Sequence, residues 1–126
     1  MAARLGQYCI NVTNLEHSTR FYTEVLGLEV RQRVDIPEAR EIILGGEGDS
    51  TIQLAQQHAR TTPIDHGDAL VKLYVYTDRL QAAYDAALAF GCKSLMVPTE
   101  LKEWKCIVAF VADPDGYAVE LVQQLA

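Results

Sequence analysis

Residues 52–57 read IQLAQQ and residues 119–124 read VELVQQ, and these two segments decide the fold. Both are short, largely apolar runs typical of strands, and they share a central leucine and a final Gln-Gln pair. At the second position, Gln53 of the first segment is replaced by Glu120 in the second. The near-repeat indicates that the chain contains one structural module twice.

The first half of the chain has the pattern of a strand, a helix and three further strands. Residues 6–12 alternate between polar and apolar side chains, which predicts a strand with one apolar face. Asn14 is expected to cap an amphipathic helix over residues 15–26, and Gly27 stands where a left-handed residue ends many helices. The remaining strands of this half are predicted at 28–34, 40–45 and 50–57.

The second half repeats this order of elements. Residues 71–77 alternate like the first strand, and Asp78 is expected to cap a helix over residues 80–90 that ends at Gly91. A DPDG turn separates the last two apolar runs. The remaining strands of this half are predicted at 93–97, 106–112 and 117–123.

The two halves correspond residue by residue. A shift of 65 residues places Gln7 on Lys72, and a shift of 67 residues places Gln53 on Glu120. We therefore predict an α+β fold with two tandem βαβββ modules. The predicted single domain, residues 1–126, consists of module 1–57, linker 58–68 and module 69–126.

One helix can cover only one face of each predicted sheet, so the other faces are expected to curve around a cleft. Alternation along the strands assigns side chains to these faces. The face covered by the helix in the first module is predicted to carry Tyr8, Ile10, Ile52 and Leu54. The cleft is predicted to be lined by Gln7, Gln53, Lys72 and Glu120.

Composition and charge exclude several classes of function. A net charge of −6 argues against nucleic acid as a partner, because phosphate binding requires an excess of lysine and arginine. No apolar run approaches the roughly 20 residues that span a bilayer, and the start MAARLGQY has no apolar core, so we expect neither membrane insertion nor a secretory signal. Three scattered cysteines predict reduced thiols and a cytoplasmic protein.

Two segments resemble the vicinal oxygen chelate superfamily, which includes glyoxalase I, bleomycin resistance proteins and extradiol dioxygenases. They are INVTNLEHSTRFYTEVLGLEV at residues 10–30 and DPDGYAVEL at residues 113–121. The resemblance implies the glyoxalase-like scaffold, a homodimer and a cleft for a small-molecule ligand. It implies less about the reaction, because members share the scaffold and differ in their sites.

In metal-dependent members of this superfamily, four inward side chains hold a divalent ion. The resemblance carries these positions over to Gln7, Gln53, Lys72 and Glu120. Lys72 departs from the pattern because a protonated ammonium has no lone pair to give a metal and repels a cation. We therefore expect no metal cofactor, with a divalent ion disfavoured. The histidines, His17, His58 and His66, are predicted outside the cleft, which also argues against an extradiol dioxygenase iron site.

The resemblance and the lysine together suggest a lyase or isomerase that acts on a small carbonyl compound by proton transfer. In this hypothesis Lys72 takes over the electrostatic role of the metal, and Glu120 orients the lysine or acts as the base. These two are the candidate catalytic residues. The candidate substrate-binding residues are Gln7, Gln53, Asn11, Tyr74, Tyr76 and Trp104.

Two alternatives stay open at this point. Lys72 and Glu120 are equally compatible with a structural ion pair that fills a vestigial site. A non-catalytic protein of the bleomycin-resistance type, which sequesters a drug or metabolite, also needs no metal. The sequence therefore leaves undecided whether the chain is an enzyme.

Overall fold

The structure, a computed structural model, describes residues 2–126. The chain divides into two compact units, the first ending at Ile64 and the second beginning at Asp65. Each unit has one four-stranded mixed sheet and one main helical segment in the order βαβββ. This confirms the predicted α+β fold. The division between the units falls inside the predicted linker.

The first unit consists of β1 (Tyr8–Asn11), α1 (Leu15–Arg20), a π-helical segment (Phe21–Val25), β2 (Glu29–Asp35), β3 (Ala39–Gly45) and β4 (Thr51–Gln57). Its sheet has the strand order β1-β4-β3-β2. The first strand pairs in parallel with the last, and the other pairings are antiparallel.

The second unit consists of β5 (Leu73–Tyr76), α2 (Leu80–Phe90), β6 (Ser94–Leu101), a 3-10 turn (Lys102–Trp104), β7 (Cys106–Ala112) and β8 (Ala118–Gln124). Its strand order, β5-β8-β7-β6, repeats that of the first unit. Here too the first and last strands are parallel and the others antiparallel.

Each helical segment packs against one face of the sheet in its own unit. The fully buried side chains of the first unit include Val12, Leu15, Phe21, Leu44 and Leu54. Those of the second unit include Leu80, Ala87, Val111, Val119 and Leu121. Burial of these apolar side chains is the main stabilising contribution in each unit.

The single helix predicted over residues 15–26 is instead α-helical and then π-helical. Phe21 and Tyr22 are adjacent and both buried, with their rings packed edge to face at 5.0 Å between centroids. The wider π turn, in which the Leu26 amide donates to the Phe21 carbonyl, turns successive side chains through a smaller angle and lets both rings face the core.

The expected burial of Tyr8 is wrong. Ile10 and Leu54 are buried on the helix-covered face, but Tyr8 is 64% exposed. Tyr8 is the first residue of β1, which lies at the edge of its sheet. Because Ile10 on the same strand is buried, the exposure of Tyr8 follows from its place at the start of the strand, where the core side chains do not cover it.

In each unit a glutamine of the repeated hexapeptide accepts a hydrogen bond from the first residue of the helix. The backbone amide of Leu15 donates to Gln56 Oε1 at 2.7 Å, and that of Leu80 donates to Gln123 Oε1 at 2.9 Å. Asn14 also caps α1 as predicted, because its Oδ1 accepts from the His17 amide at 3.0 Å. Free amides at a helix start need such acceptors, so the repeat has kept this glutamine in both copies.

The predicted Asp78 cap is wrong. Arg79 occupies the N-cap position of α2, but its side chain makes no capping hydrogen bond. The amide of Leu80 donates instead to Gln123 Oε1, on the last strand of the same unit. The ends of the helical segments do follow the prediction, since Gly27 and Gly91 adopt the left-handed φ values of 78° and 104°.

The last residues of the predicted linker belong to the second unit. His66 lies edge-on to Tyr117 at 4.6 Å between ring centroids, and its Nε2 is 2.8 Å from the Asp115 carbonyl oxygen. Asp113 shapes the same turn, because its Oδ1 accepts from the amides of Asp115 and Tyr117. Across residues 2–126, no helix is long and apolar enough to span a membrane.

Replacing Gln123 with alanine removes the acceptor at the start of α2. We expect the free energy of unfolding to fall by ~1 kcal/mol, the usual effect of losing a helix cap, measured as a lower urea midpoint. The control is Gln124→Ala, because Gln124 is the exposed neighbour at the end of the same strand. Equal midpoints for the two variants would contradict this role.

Candidate functional site

The sheet face turned away from α2 carries the candidate residues of the second unit. Tyr74 and Tyr76 lie on this face of β5, and Lys72 precedes the strand in the same alternation. Glu120 of β8 stands directly opposite Tyr74, and Phe110 of β7 stands opposite Glu120. The pairing register therefore brings these side chains together.

Lys72 and Glu120 form a short, partly desolvated ion pair. Lys72 Nζ is 2.6 Å from Glu120 Oε1, and the two side chains are 27% and 11% exposed. The ammonium also lies 4.9 Å from the centroid of the Tyr74 ring and 5.3 Å from that of Phe110. Aromatic faces attract a cation at such distances, so a carboxylate and two rings fix the position of the charge.

This environment raises the pKa of Lys72 above its ordinary value of 10.5. The main cause is the hydrogen-bonding interaction with Glu120, followed by that with Tyr74, while desolvation acts in the opposite direction. Lys72 is therefore a stable cation at neutral pH. An ammonium of this kind provides a fixed positive charge and is a poor nucleophile.

Glu120 is the more buried member of the pair, with the residue 8% exposed. Apart from the ion pair, its Oε1 has no hydrogen-bond partner within residues 2–126. A carboxylate oxygen has two lone pairs and accepts more than one hydrogen bond. Glu120 Oε1 is thus a buried acceptor whose hydrogen-bonding capacity the ion pair does not exhaust.

The first unit holds a neutral counterpart of this pair. Gln7 Nε2 donates to Gln53 Oε1 at 2.7 Å, and Thr51 Oγ1 donates to Gln7 Oε1 at 3.1 Å. Gln7 and Gln53 occupy the positions that the sequence shifts place on Lys72 and Glu120. The residues before the first strand and within the last strand therefore meet in both units.

Two other candidates lie further from these pairs. Asn11 is at the opposite end of β1 from Gln7, where its Oδ1 accepts from Gln57 Nε2 at 3.4 Å. Trp104 is 69% exposed in the turn between β6 and β7. This turn ends just before Cys106, the first residue of β7. Cys106 is four residues from Phe110, which corresponds to ~13 Å along an extended strand. The second unit does not bring Trp104 to the ion pair, and its contact with a ligand stays a prediction.

The side chains at the four implied metal positions do not match a transition-metal site. They offer one carboxylate, which already binds an ammonium, and two amides that bind each other. Ni²⁺ and Zn²⁺ favour imidazole, thiolate and carboxylate ligands. Within the described part of the chain, no group of three or more His, Cys, Asp or Glu side chains is arranged to hold a metal ion.

Comparison with known families agrees with the fold and with the sequence resemblance. Residues 4–121 match the Glyoxalase/Bleomycin resistance protein/Dioxygenase superfamily. The chain belongs to this superfamily. The predicted membership of the vicinal oxygen chelate superfamily is thereby confirmed.

Individual relatives within the superfamily carry glyoxalase names. A lactoylglutathione lyase of Neisseria meningitidis serogroup B is 33% identical over 125 residues, which cover 96% of this chain and 91% of the relative. A probable lactoylglutathione lyase of Synechocystis is 26% identical, with 90% of each chain covered.

Solved glyoxalase structures share the fold. A mutant of glyoxalase I from Zea mays superimposes with a TM-score of 0.83 and 26% identity over 94% of this chain. This chain spans about half of that maize protein, 45% of its length. The trypanothione-dependent glyoxalase I of Leishmania major gives a TM-score of 0.81 at 24% identity and covers 98% of this chain, which supports the fold alone.

Sequence reasoning missed the contribution of Phe110. The signal was present, because a hairpin closed by the DPDG turn pairs Ala112 with Ala118 and hence Phe110 with Glu120. An aromatic residue opposite the glutamate was therefore predictable from the turn position. The distance of the Phe110 ring from the Lys72 ammonium was not predictable, because it depends on how the lysine side chain lies across the sheet.

Replacing Glu120 with glutamine should lower the pKa of Lys72, because the main cause of its raised value is removed. Competitive acetylation followed by mass spectrometry across alkaline pH measures this change, and Lys72 should become reactive at lower pH in Glu120→Gln than in the unmodified chain. The exposed Glu103→Gln serves as the control. An unchanged Lys72 profile in Glu120→Gln would contradict the ion pair.

The raised pKa of Lys72 also determines how the stability of the fold changes with pH. Because the folded-state pKa of Lys72 is higher than its ordinary value of 10.5, the pair stabilises the fold fully below that pH. The stabilisation is lost as the pH rises through the folded-state value. Unfolding midpoints should therefore fall more steeply above pH 10.5 in the unmodified chain than in Lys72→Met, and parallel curves would contradict this.

Proposed function

We propose that this protein is a glyoxalase-like lyase or isomerase that moves a proton beside the carbonyl group of a small-molecule substrate. In this proposal the ammonium of Lys72 takes the electrostatic role that a metal ion plays in other superfamily members. The observation that carries it is the 2.6 Å contact between Lys72 Nζ and Glu120 Oε1. A cation and a basic carboxylate are the two groups that such a proton transfer needs.

The proposed reaction balances without an oxidant or a reductant. Glu120 takes a proton from the carbon next to the carbonyl group, and the electron pair moves onto the carbonyl oxygen. The Lys72 ammonium stabilises the resulting oxyanion. The protonated Glu120 then gives the proton to the former carbonyl carbon, while the hydroxyl proton on the first carbon passes to the oxyanion, so that the carbonyl and hydroxyl groups exchange places.

The charge of Lys72 also favours this electrostatic role over a covalent one. Formation of a Schiff base requires a neutral amine, which a raised pKa disfavours at neutral pH. We further propose that catalysis requires no divalent ion, since Lys72 repels a cation from the neighbouring carboxylate. Reduction with borohydride in the presence of substrate should accordingly trap no adduct on Lys72.

Relatives named lactoylglutathione lyase support a glutathione-linked substrate, and we propose the adduct of a small 2-oxoaldehyde with glutathione. We propose that Gln7, Gln53 and Asn11 bind its polar groups and that Tyr74, Tyr76 and Trp104 contact the rest. A homodimer located in the cytoplasm is part of the same proposal.

Replacing Lys72 with methionine removes the cation while keeping most of the side-chain volume. We expect the turnover of the adduct of methylglyoxal and glutathione to fall by roughly 10²–10³-fold, as when an oxyanion-stabilising donor is lost. Lys102→Met, at an exposed lysine in the turn after β6, is the matched control and should leave the rate unchanged.

The same assay on protein stripped with a chelator tests the absence of a metal requirement. Turnover should persist after stripping, with metal content checked by mass spectrometry. Loss of activity on stripping, with recovery on adding Ni²⁺ or Zn²⁺, would contradict the proposal. So would a Lys72→Met variant that remains as active as the Lys102→Met control.

A second candidate function is binding without catalysis. Tyr74 and Tyr76 are 56% and 70% exposed beside the ion pair, and such faces suit a bound ring. In this case a ligand should raise the unfolding temperature, since one present at 100 times its Kd adds about 2.7 kcal/mol to stability. A thermal-shift screen that finds such a ligand, together with no turnover of any carbonyl substrate, would favour sequestration.

A further inference from the structure

His66, at the start of the second unit, contacts the turn that leads into β8. Its Nε2 is 2.8 Å from the Asp115 carbonyl oxygen, and its ring packs edge-on to that of Tyr117 at 4.6 Å between centroids. A carbonyl oxygen only accepts hydrogen bonds, so Nε2 carries the proton and donates. The imidazole therefore attaches the segment before β5 to the turn before β8.

This turn has room for the imidazole because Gly116 has no side chain. A β-carbon on Gly116 would lie 3.3 Å from His66 Nε2, closer than most contacts of a β-carbon, and the φ of 90° is one that other residues rarely adopt. Asp113 holds the turn itself, since its Oδ1 accepts from the amides of Asp115 and Tyr117 at 2.9 Å. His66 thus rests on a turn whose backbone is fixed by its own hydrogen bonds.

The two chain segments that meet at His66 carry the two members of the ion pair. Lys72 follows His66 by six residues and precedes β5, while Glu120 follows Asp115 by five residues and lies on β8. The parallel pairing of β5 with β8 begins at Leu73. Strand pairing therefore holds the two segments together after Lys72, and His66 holds them together before it.

The chain between His66 and β5 is largely exposed. The amide of Gly67 donates to Asp65 Oδ1 at 3.2 Å, which turns the chain just after His66. Further along, Leu70 and Val71 are 46% and 79% exposed. An exposed segment with few buried apolar contacts opens more readily than a packed one. The His66 contact is therefore the attachment that limits movement of the chain before β5.

The corresponding turn of the first unit has no aromatic residue at this point. A shift of 67 residues places Tyr117 on Ser50. The pair in the first unit, Gln7 and Gln53, consists of two neutral amides that hydrogen-bond to each other. The ring that packs against His66 is thus found in the unit whose site depends on the position of a charge.

We propose that His66 is a positioning residue that holds Lys72 at the distance from Glu120 at which the ammonium stabilises the oxyanion. The inference rests on the proposed function, because it leaves the contacts with the substrate to Lys72 and Glu120 and gives His66 none. Misplacing a catalytic group by about 1 Å can cost about 10²-fold in rate. Loss of the His66 contact should therefore lower turnover more than it weakens substrate binding.

The test replaces His66 with leucine, which removes the donor, and with glutamine, which keeps a donor near the position of Nε2. We expect kcat for the adduct of methylglyoxal and glutathione to fall about tenfold in His66→Leu, with KM changed less than about twofold. In His66→Gln kcat should stay within about twofold of that of the unmodified chain. Competitive acetylation should show Lys72 reacting at lower pH in His66→Leu, because a looser contact with Glu120 raises the lysine pKa less.

Two controls separate positioning from a general loss of stability. His58→Ala removes an exposed histidine of the first unit and should change neither measurement. Gln123→Ala removes the acceptor at the start of α2. It should lower the urea midpoint without changing kcat or the reactivity of Lys72.

The inference is overturned if His66→Leu matches His58→Ala both in turnover and in the acetylation of Lys72. It is also overturned if His66→Gln or Gln123→Ala loses as much turnover as His66→Leu, because the effect would then not come from the donor. Turnover that is lost in Lys72→Met but unaffected in His66→Leu would refute the inference and leave the proposed function standing. A shift of Lys72 acetylation in His66→Leu, in a chain that turns over no carbonyl substrate, would support the anchoring by His66 and contradict the proposed function.

Discussion

The parallel pairing of the first strand with the last strand in each unit determines where every central site residue lies. Tyr8 pairs with Ile52 in the first unit, and Leu73 pairs with Val119 in the second. This register places the residue before the first strand beside the second residue of the repeated hexapeptide. A slip of one residue would turn these side chains to the opposite face of the sheet. The same strands also supply the glutamines that hold the helix starts, so the register supports both the fold and the site.

Within this shared frame the two units differ in chemistry. The first unit joins two amides, which satisfy each other's hydrogen bonds and carry no charge. The second joins an ammonium and a carboxylate at 2.6 Å and borders them with aromatic rings. A partly buried pair of opposite charges requires compensation for its desolvation, and the rings and the carboxylate provide it for Lys72. The ion pair and its aromatic neighbours are therefore confined to the second unit.

Sequence periodicity was sufficient to predict the fold because both modules are regular. The repeated hexapeptides, the alternation along residues 6–12 and 71–77 and the glycines after each helical segment all reflect local rules, and α2 forms over the predicted residues 80–90. The π-helical segment after α1 was not predictable, because it arises from packing two adjacent aromatic residues into one core. The acceptor at the start of α2 was also missed, since Gln123 lies 43 residues away from Leu80 in the chain. Strand register was sufficient to place Lys72, Tyr74 and Phe110 near Glu120. The distances of the rings from the ammonium were not predictable, because they depend on how the lysine side chain lies across the sheet.

Binding of a hydroxamate, an analogue of the enediolate that forms when a proton leaves the carbon beside a carbonyl group, tests the role of Lys72 most directly. Such analogues bind more tightly than substrates because they resemble the transition state. Calorimetry on metal-stripped protein should show binding to the unmodified chain and its loss in Lys72→Met. Binding that appears only after a divalent ion is added, and that survives in Lys72→Met, would contradict the replacement of the metal by the lysine.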